Sequence, residues 1–427
     1  MHGRWMPVYL LALMLYVLAG TPLAPFHGDE STLIYGSRDY FDQFVVGDMA
    51  RVMNRRANDE RDHSLRLLDG RVQKYLGGLA YHLTGGTLAR LNQPWAWGAP
   101  AKFSLANGLV PAHDLLMAER WAMALLLALS IPAAYGVGAQ VGGRRGGLLM
   151  ATLIAVSPNL VLNGRRVMME SPLLLFSLLT ALAALKLSAF NSQPSAARSR
   201  PFPLPVVLVF GLSTGLALAS KHSAALTVMP LFGALAAWAL WRRNGPELIH
   251  LGMAGVLTVA TYLALNPAWW ASPFDAAGET LRLRSQLLET QAAVFGGYAS
   301  LGESARGFLR YAVLETPQYY EVPVWEEIGP TIATYQSSPW VLPSLLNTLR
   351  ALAVVVLAAR GIVVLAGRRD RVAWVAGAWI TVVLAATYLL TPLPWARYYL
   401  PALPALYALA ATGFGDLAGR WRTPSWT

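Results

Sequence analysis

The sequence predicts an all-α polytopic membrane protein, one unit of about ten transmembrane helices with two long loops on the same side. Three observations carry this. Of 427 residues, 55% are hydrophobic and 13% charged, with a mean hydropathy of +0.41, a balance outside that of water-soluble chains. Apolar runs recur at about 20 residues, the length a helix needs to cross a bilayer. Arginines gather in short clusters between those runs, which is how membrane topology is written.

The runs are Trp5 to Ala24, Ala118 to Val141, Gly146 to Leu162, Ser171 to Ala189, Pro203 to Ala219, Ala224 to Trp241, Leu248 to Leu265, Leu346 to Ala366, Val372 to Leu390 and Tyr399 to Leu417. The opening MHGRWMPVYLLALMLYVLAG has features of a signal peptide but reads better as a retained first helix, because many further spans follow it. With a cytoplasmic N-terminus, every short basic cluster falls inside: MHGR, Arg144 and Arg145, Arg198 and Arg200, Arg242 and Arg243, Arg368, Arg369 and Arg371, Arg420 and Arg422. The positive-inside rule therefore supports an even number of spans with both termini cytoplasmic. Heavy use of Ala, Leu, Arg and Gly fits the bacterial cytoplasmic (inner) membrane.

The net charge of +11 and pI near 9.9 reflect these topological clusters rather than a nucleic-acid partner. The chain has no cysteine, which excludes disulfides, thiolate metal sites and cysteine nucleophiles. Residues 25–117 and 266–345 then form the outward loops. The first holds RDYFDQFVVGDMARVMNRRANDERDH and the amphipathic VQKYLGGLAYHLTGGTLARL, which suits the membrane interface. The second holds AAGETLRLRSQLLETQAAVF, read as a surface helix, and the aromatic, acidic ETPQYYEVPVWEEIGP.

Ionisable groups beside spans are costly and mark cavities or interfaces. At the outward helix ends stand Asp29 and Glu30, Arg165, Arg166 and Glu170, Lys221 and His222, and Arg397. Carboxylates suit proton abstraction or metal binding, while arginine and lysine suit a phosphate. Together they point to a lipid-phosphate substrate, provided that Asp29, Glu170, Lys221 and Arg397 open onto one cavity. Each also has a plainer reading: solvated loop acids for Asp29 and Glu30, a hairpin ion pair for Glu170, snorkelling for Lys221, an interfacial belt for Arg397 and Tyr398 in WARYYLP. A single histidine such as His222 is a poor metal signal. No phosphate loop or HExxH motif is present.

Six motifs in order resemble the polytopic fold C glycosyltransferases that use polyprenyl-phosphate sugars, in particular the protein O-mannosyltransferase and aminoarabinose transferase superfamily. They are FHGDESTLIYG, VQKYLGGLAYHLTG, NGRRVMMESPLLLFSLL, GLALASKHSAAL, LALNPAWWASP and ARYYLPALPAL. The resemblance implies inverting transfer of a sugar from a polyprenyl-phosphate donor to a hydroxyl acceptor at the outer face. It implies Asp29 as general base, Glu30 as its orienting neighbour and Glu170 as the second acid. Lys221 and Arg397 match positions associated with the lipid phosphate. Arg165 and Arg166 join them by location only, and His222 and Tyr398 are further candidate substrate contacts. No cofactor is implied, although carboxylates can hold a divalent metal. The chain departs from the family in lacking a large inserted domain and in ending soon after the tenth run, and the acceptor stays unassigned.

Two other classes compete with this reading. A transporter or flippase of a lipid-linked sugar would also need outward charges, but the repeated halves common in transporters are absent. A structural scaffold would not require acids and cations to meet at one level. The charged stretch Asp48 to Asp69 reads better as a variable, solvated loop than as a segment that helps define the acceptor.

Overall fold

The computed structural model describes residues 5–54, 60–97, 99–191, 203–321 and 329–420. A helix stands at each predicted run: α1 Trp5–Ala19, α4 His113–Val156, α5 Pro158–Gly164, α6 Glu170–Asn191, α7 Leu204–Ser220, α8 Ala225–Trp241, α9 Gly245–Leu265, α11 Ser344–Gly367, α12 Arg371–Leu390 and α13 Ala402–Arg420. Three labelled helices belong to the loops: α2 Gly28–Gly36, α3 Arg71–Leu83 and α10 Pro273–Phe295. Among the described residues, seven helices are long and apolar enough to cross a membrane, and α7 is apolar but shorter.

The boundaries of the second and third runs differ from expectation for a physical reason. α4 is broken at Gly143, whose φ of 67° lies in the left-handed region. Gly138 then lies against Gly146 and Met150, and Gly147 against Tyr135, so the helix folds back on itself as a tight hairpin. The second arm stops at Val156, where Ser157 caps α5 by accepting from the Leu160 N–H.

The membrane core is built from α1, α4, α6, α7, α8, α11, α12 and α13, with Val17, Ile131, Val137, Leu185, Phe210, Leu235, Val375 and Tyr407 buried at its centre. Since lipid offers apolar side chains no worse a home than protein does, close backbone approach has to supply much of the packing energy. Glycines permit it. A Cβ on Gly361 would stand 2.0 Å from the Leu409 carbonyl oxygen, and one on Gly413 equally 2.0 Å from that of Leu357. α13 is wedged between α11 and α4 through these positions, with Gly142 and Gly415 touching on its other side.

The helix ends sort into two layers. At one end Arg145 donates to the Ala418 carbonyl, Arg368 to the Val141 carbonyl at 3.2 Å, and Arg371 pairs with Glu247. The Arg-rich turns therefore meet on one side of the bundle. MHGR, Arg198, Arg200 and Arg422 lie outside the described residues.

The opposite end carries the two long loops, clamped by buried charges. Glu30 is fully buried and accepts from Arg120 Nε at 2.8 Å and Nη2 at 2.7 Å. It also accepts the backbone N–H groups of His27 and Val167, each at 3.0 Å. In the second loop, Glu315 accepts from Arg350 at 2.6 Å and from Ser157 at 2.5 Å, and Tyr407 bonds to it as well.

The charged stretch of the first loop is not a solvated appendage. Asp39 accepts from Arg66 at 2.9 Å and pairs with Arg71; Asp62 accepts from Tyr35 at 2.5 Å. Lys74 donates to the Leu65 carbonyl at 2.8 Å. This network closes over α3, whose Gly77 and Gly78 let it pack against Glu119 and Tyr40. Residues 55–59 lie outside the described residues.

Two outcomes test this architecture. Gly361→Ala should lower the melting temperature in detergent, by an amount corresponding to about 1–3 kcal/mol of overpacking, whereas Gly252→Ala, with nothing within 4 Å of its added Cβ, should leave it unchanged or raised. Arg120→Ala should cost about 3–5 kcal/mol, because it strands a buried carboxylate. Burial works to raise the Glu30 carboxyl, but Arg120, with Arg166 and the Val167 N–H, more than offsets it and holds it below the usual range. A depressed acid of this kind contributes stability above its unfolded value and loses it as pH falls through the folded one. Melting followed against pH should therefore show wild type losing stability on acidification and Arg120→Ala losing less.

Candidate active site

The sequence FHGDE builds the first part of the site. His27 has extended backbone and caps α2: its Nδ1 accepts the Asp29 N–H at 3.1 Å, while Glu30 reaches back to the His27 N–H. This reciprocal cap fixes the first turn of the helix. The turn then points its two acids in opposite directions. Glu30 is turned inward onto Arg120 and is wholly enclosed, while Asp29 is about 20% exposed and pairs with Arg397.

Arg397 sits on a short 3₁₀ turn, Ala396–Tyr399, just ahead of α13. Its guanidinium lies 5.3 Å from the Trp395 ring centroid and 5.8 Å from that of Tyr398, so two aromatic faces hold it in place. Burial pulls its pKa below the ordinary arginine value, although a guanidinium remains charged in any accessible range.

Behind this pair opens a cavity of about 490 Å³. Its ionisable lining comes from Glu170, Lys221, His222, Arg284, Arg397 and Tyr398; serine and threonine hydroxyls add to it, and the remainder is mostly leucine and proline. Lys221 Nζ donates to Glu170 Oε1 at 2.8 Å. His222 Nε2 is 3.3 Å from the Tyr262 hydroxyl, and Tyr398 donates to Gln291 of α10 at 3.0 Å. Glu170, Lys221 and Arg397 thus share one cavity, whereas Asp29, expected to open onto it too, is not among its lining residues and meets it only through its contact with Arg397.

Arg165 and Arg166, expected from their position in sequence beside the lipid phosphate, lie elsewhere. Arg165 is wholly buried and donates to the Val17, Tyr16 and Trp340 carbonyls at 2.8–2.9 Å and to the Tyr335 hydroxyl at 2.9 Å. Arg166 donates to the carbonyls of Pro25 at 2.9 Å and Tyr319 at 2.7 Å. Neither lines the cavity. Both tie the end of α1 and the second loop to the α5–α6 junction.

The structure also brings in residues with no motif of their own. Glu321, from the second loop, accepts from His27 Nε2 at 2.6 Å and stands 3.4 Å from Arg397 Nε. Arg284 enters the cavity from α10. Glu321 lies inside the aromatic, acidic stretch of that loop, but nothing in linear order distinguishes it from its acidic neighbours.

Residues 81–277 match the family model described as dolichyl-phosphate-mannose-protein mannosyltransferase. The matched stretch takes in Glu170 and Lys221 and leaves Asp29 and Arg397 outside it. No curated protein matches the chain. Among solved structures, the oligosaccharyltransferase of Archaeoglobus fulgidus in complex with Zn and sulfate aligns with a TM-score of 0.53 at 14% identity, over 96% of this chain and 51% of that one. ArnT of Cupriavidus metallidurans bound to undecaprenyl phosphate aligns with a TM-score of 0.51 at 14% identity, over 97% of this chain and 60% of its own. The chain spans about half to three fifths of the length of these structures, and at such identities the likeness is one of fold. Residues 81–277 are thus similar to the dolichyl-phosphate-mannose-protein mannosyltransferase family model, and the chain shares its helical fold with these solved structures.

Proposed function

We propose that this chain is an inverting glycosyltransferase that moves a sugar from a polyprenyl-phosphate donor to a hydroxyl acceptor at the outer face of the bacterial cytoplasmic membrane. The observation that carries the reading is the contact between Asp29 and Arg397 at the edge of an apolar-walled cavity that also gathers Lys221 and Arg284. Leucine and proline walls suit a prenyl chain, and guanidinium and ammonium groups suit its phosphate. The family match over residues 81–277 and the fold shared with an undecaprenyl-phosphate-bound protein support that donor class. The Arg-rich turns meet at the far end of the bundle, which supports an outward-facing site.

In this mechanism the acceptor oxygen attacks the anomeric carbon, its proton passes to the Asp29 carboxylate, and the bond from that carbon to the phosphate oxygen breaks. Polyprenyl phosphate departs with the electron pair. Arg397, Lys221 and Arg284 stabilise the charge that grows on it, an effect strengthened where water is scarce. Glu170 holds Lys221 in place by their 2.8 Å contact. Glu30, spent on Arg120, fixes the turn that presents Asp29 and leaves proton transfer to its neighbour. His222 and Tyr398 flank the donor.

Asp29→Asn should reduce transfer by about 10²- to 10⁴-fold, the usual contribution of a general base, without weakening undecaprenyl-phosphate binding. The check is a purified protein in vesicles, given a panel of polyprenyl-phosphate sugars, with release of the lipid phosphate followed; wild-type rates from this variant would sink the assignment. Lys221→Ala should instead raise the donor KM on the order of tenfold, since a charged hydrogen bond contributes about 1.5–3 kcal/mol, and an unchanged KM would remove Lys221 from the phosphate set.

A further inference from the structure

Glu321 is the residue that touches both sides of the Asp29–Arg397 pair. Its Oε2 meets His27 Nε2 at 2.6 Å, and its Oε1 lies 3.4 Å from Arg397 Nε. The tautomer of His27 follows from the other ring nitrogen. Because Nδ1 accepts the Asp29 N–H at 3.1 Å, the proton sits on Nε2 and the ring is neutral. Burial also pulls the His27 pKa down, only partly countered by Glu321.

The Arg166 charge also acts on Glu321, but the guanidinium that both carboxylates meet is that of Arg397. Asp29 and Glu321 present two carboxylates to one guanidinium, while Arg166 close by donates to the carbonyls of Pro25 and Tyr319. The remaining titratable groups facing them are Tyr398, beside Arg397, and Tyr311, near Glu321. An arriving phosphate adds a third anion. Arg397 cannot pair fully with all three, so one carboxylate has to give way. Asp29 holds a terminal nitrogen of the guanidinium, Nη1, whereas Glu321 faces Nε, next to the side-chain stem. A phosphate approaching from the cavity competes for the terminal nitrogens.

We infer that Glu321 is a positioning residue: it holds Arg397 by charge from the Nε side and fixes the Nε2–H tautomer of His27 while the terminal guanidinium nitrogens pass from Asp29 to the donor phosphate. The base is then released when the donor is bound and is masked when it is not. This inference rests on the transferase reading above and adds to it the residue that times proton acceptance. Masking an unoccupied base limits proton capture before the sugar is in place.

The test compares Glu321→Gln and Glu321→Asp with wild type in the vesicle assay. With the amide, Arg397 stays with Asp29. The expected result is a fall in kcat on the order of ten- to a hundredfold, a donor KM within about twofold, and an acid limb of kcat/KM moved to lower pH by about one unit. Glu321→Asp should restore most of the rate. A purely structural loss would lower kcat without moving the limb. Wild-type kcat with an unmoved limb, or a raised KM with kcat intact, would overturn the inference. Should Glu321→Gln fail to fold, the unmodified chain carries the test: titrating it with undecaprenyl phosphate near pH 5, in two buffers of different ionisation heat, should show proton uptake that Asp29→Asn lacks. Equal uptake by both would overturn it. If Asp29→Asn transfers sugar normally, the transferase reading falls; if Asp29→Asn is inactive and Glu321→Gln is unchanged, only the role of Glu321 falls.

Discussion

The bidentate contact between Glu30 and Arg120 governs the geometry of everything above the bundle. It joins the first turn of α2 to α4, and through the Val167 N–H it also captures the junction between α5 and α6. Three segments distant in sequence are held by one carboxylate. A pair this deeply buried gains little net stability against the cost of desolvating it, yet breaking it is expensive, so it acts chiefly as a register pin. Asp29 inherits its position from that pin. An acid next to a fixed acid, on the same turn of helix, has few directions left in which to point.

The second loop obeys the same rule from the other side. Glu315 is bonded by Arg350, Ser157 and Tyr407, which belong to α11, the α4–α5 junction and α13. Six residues later the chain delivers Glu321 to His27 and Arg397. Both loops are therefore stapled by fully enclosed carboxylates, and each staple lies close in sequence to a partly exposed acid at the site. Rigid anchors beside a small number of mobile charges are what preorganised electrostatics require.

The membrane helices were legible because a bilayer forces length and apolarity on them, and the basic clusters are local in sequence. The break at Gly143 was legible only as a gap between two runs, yet it turns out to be a fold-back with glycines packed against each other. Site chemistry was harder to read. Asp29, Glu170, Lys221 and Arg397 stood out because charges beside spans are rare. The same criterion drew in Arg165 and Arg166, since linear position cannot tell a guanidinium that faces a cavity from one that satisfies main-chain carbonyls at a helix end. Glu321 carried no such mark: its importance lies in tertiary contacts between residues some 294 positions apart. Nor could composition reveal that Asp39, Arg66 and Arg71 neutralise each other inside the first loop rather than in water.

The length of α4 sets the height at which all of this takes place. Its first arm, His113 to Gly142, measures roughly 45 Å at 1.5 Å per residue, against a hydrocarbon thickness of about 30 Å. The surplus raises the opening turns of the arm, with Arg120 on them, to the level of the lipid headgroups. The Arg120–Glu30 pair there is enclosed by protein and meets neither hydrocarbon nor bulk water. On the transferase reading proposed above, a molecule with a greasy tail and a polar head would then be served without leaving the bilayer, and a water-borne partner would approach without entering it.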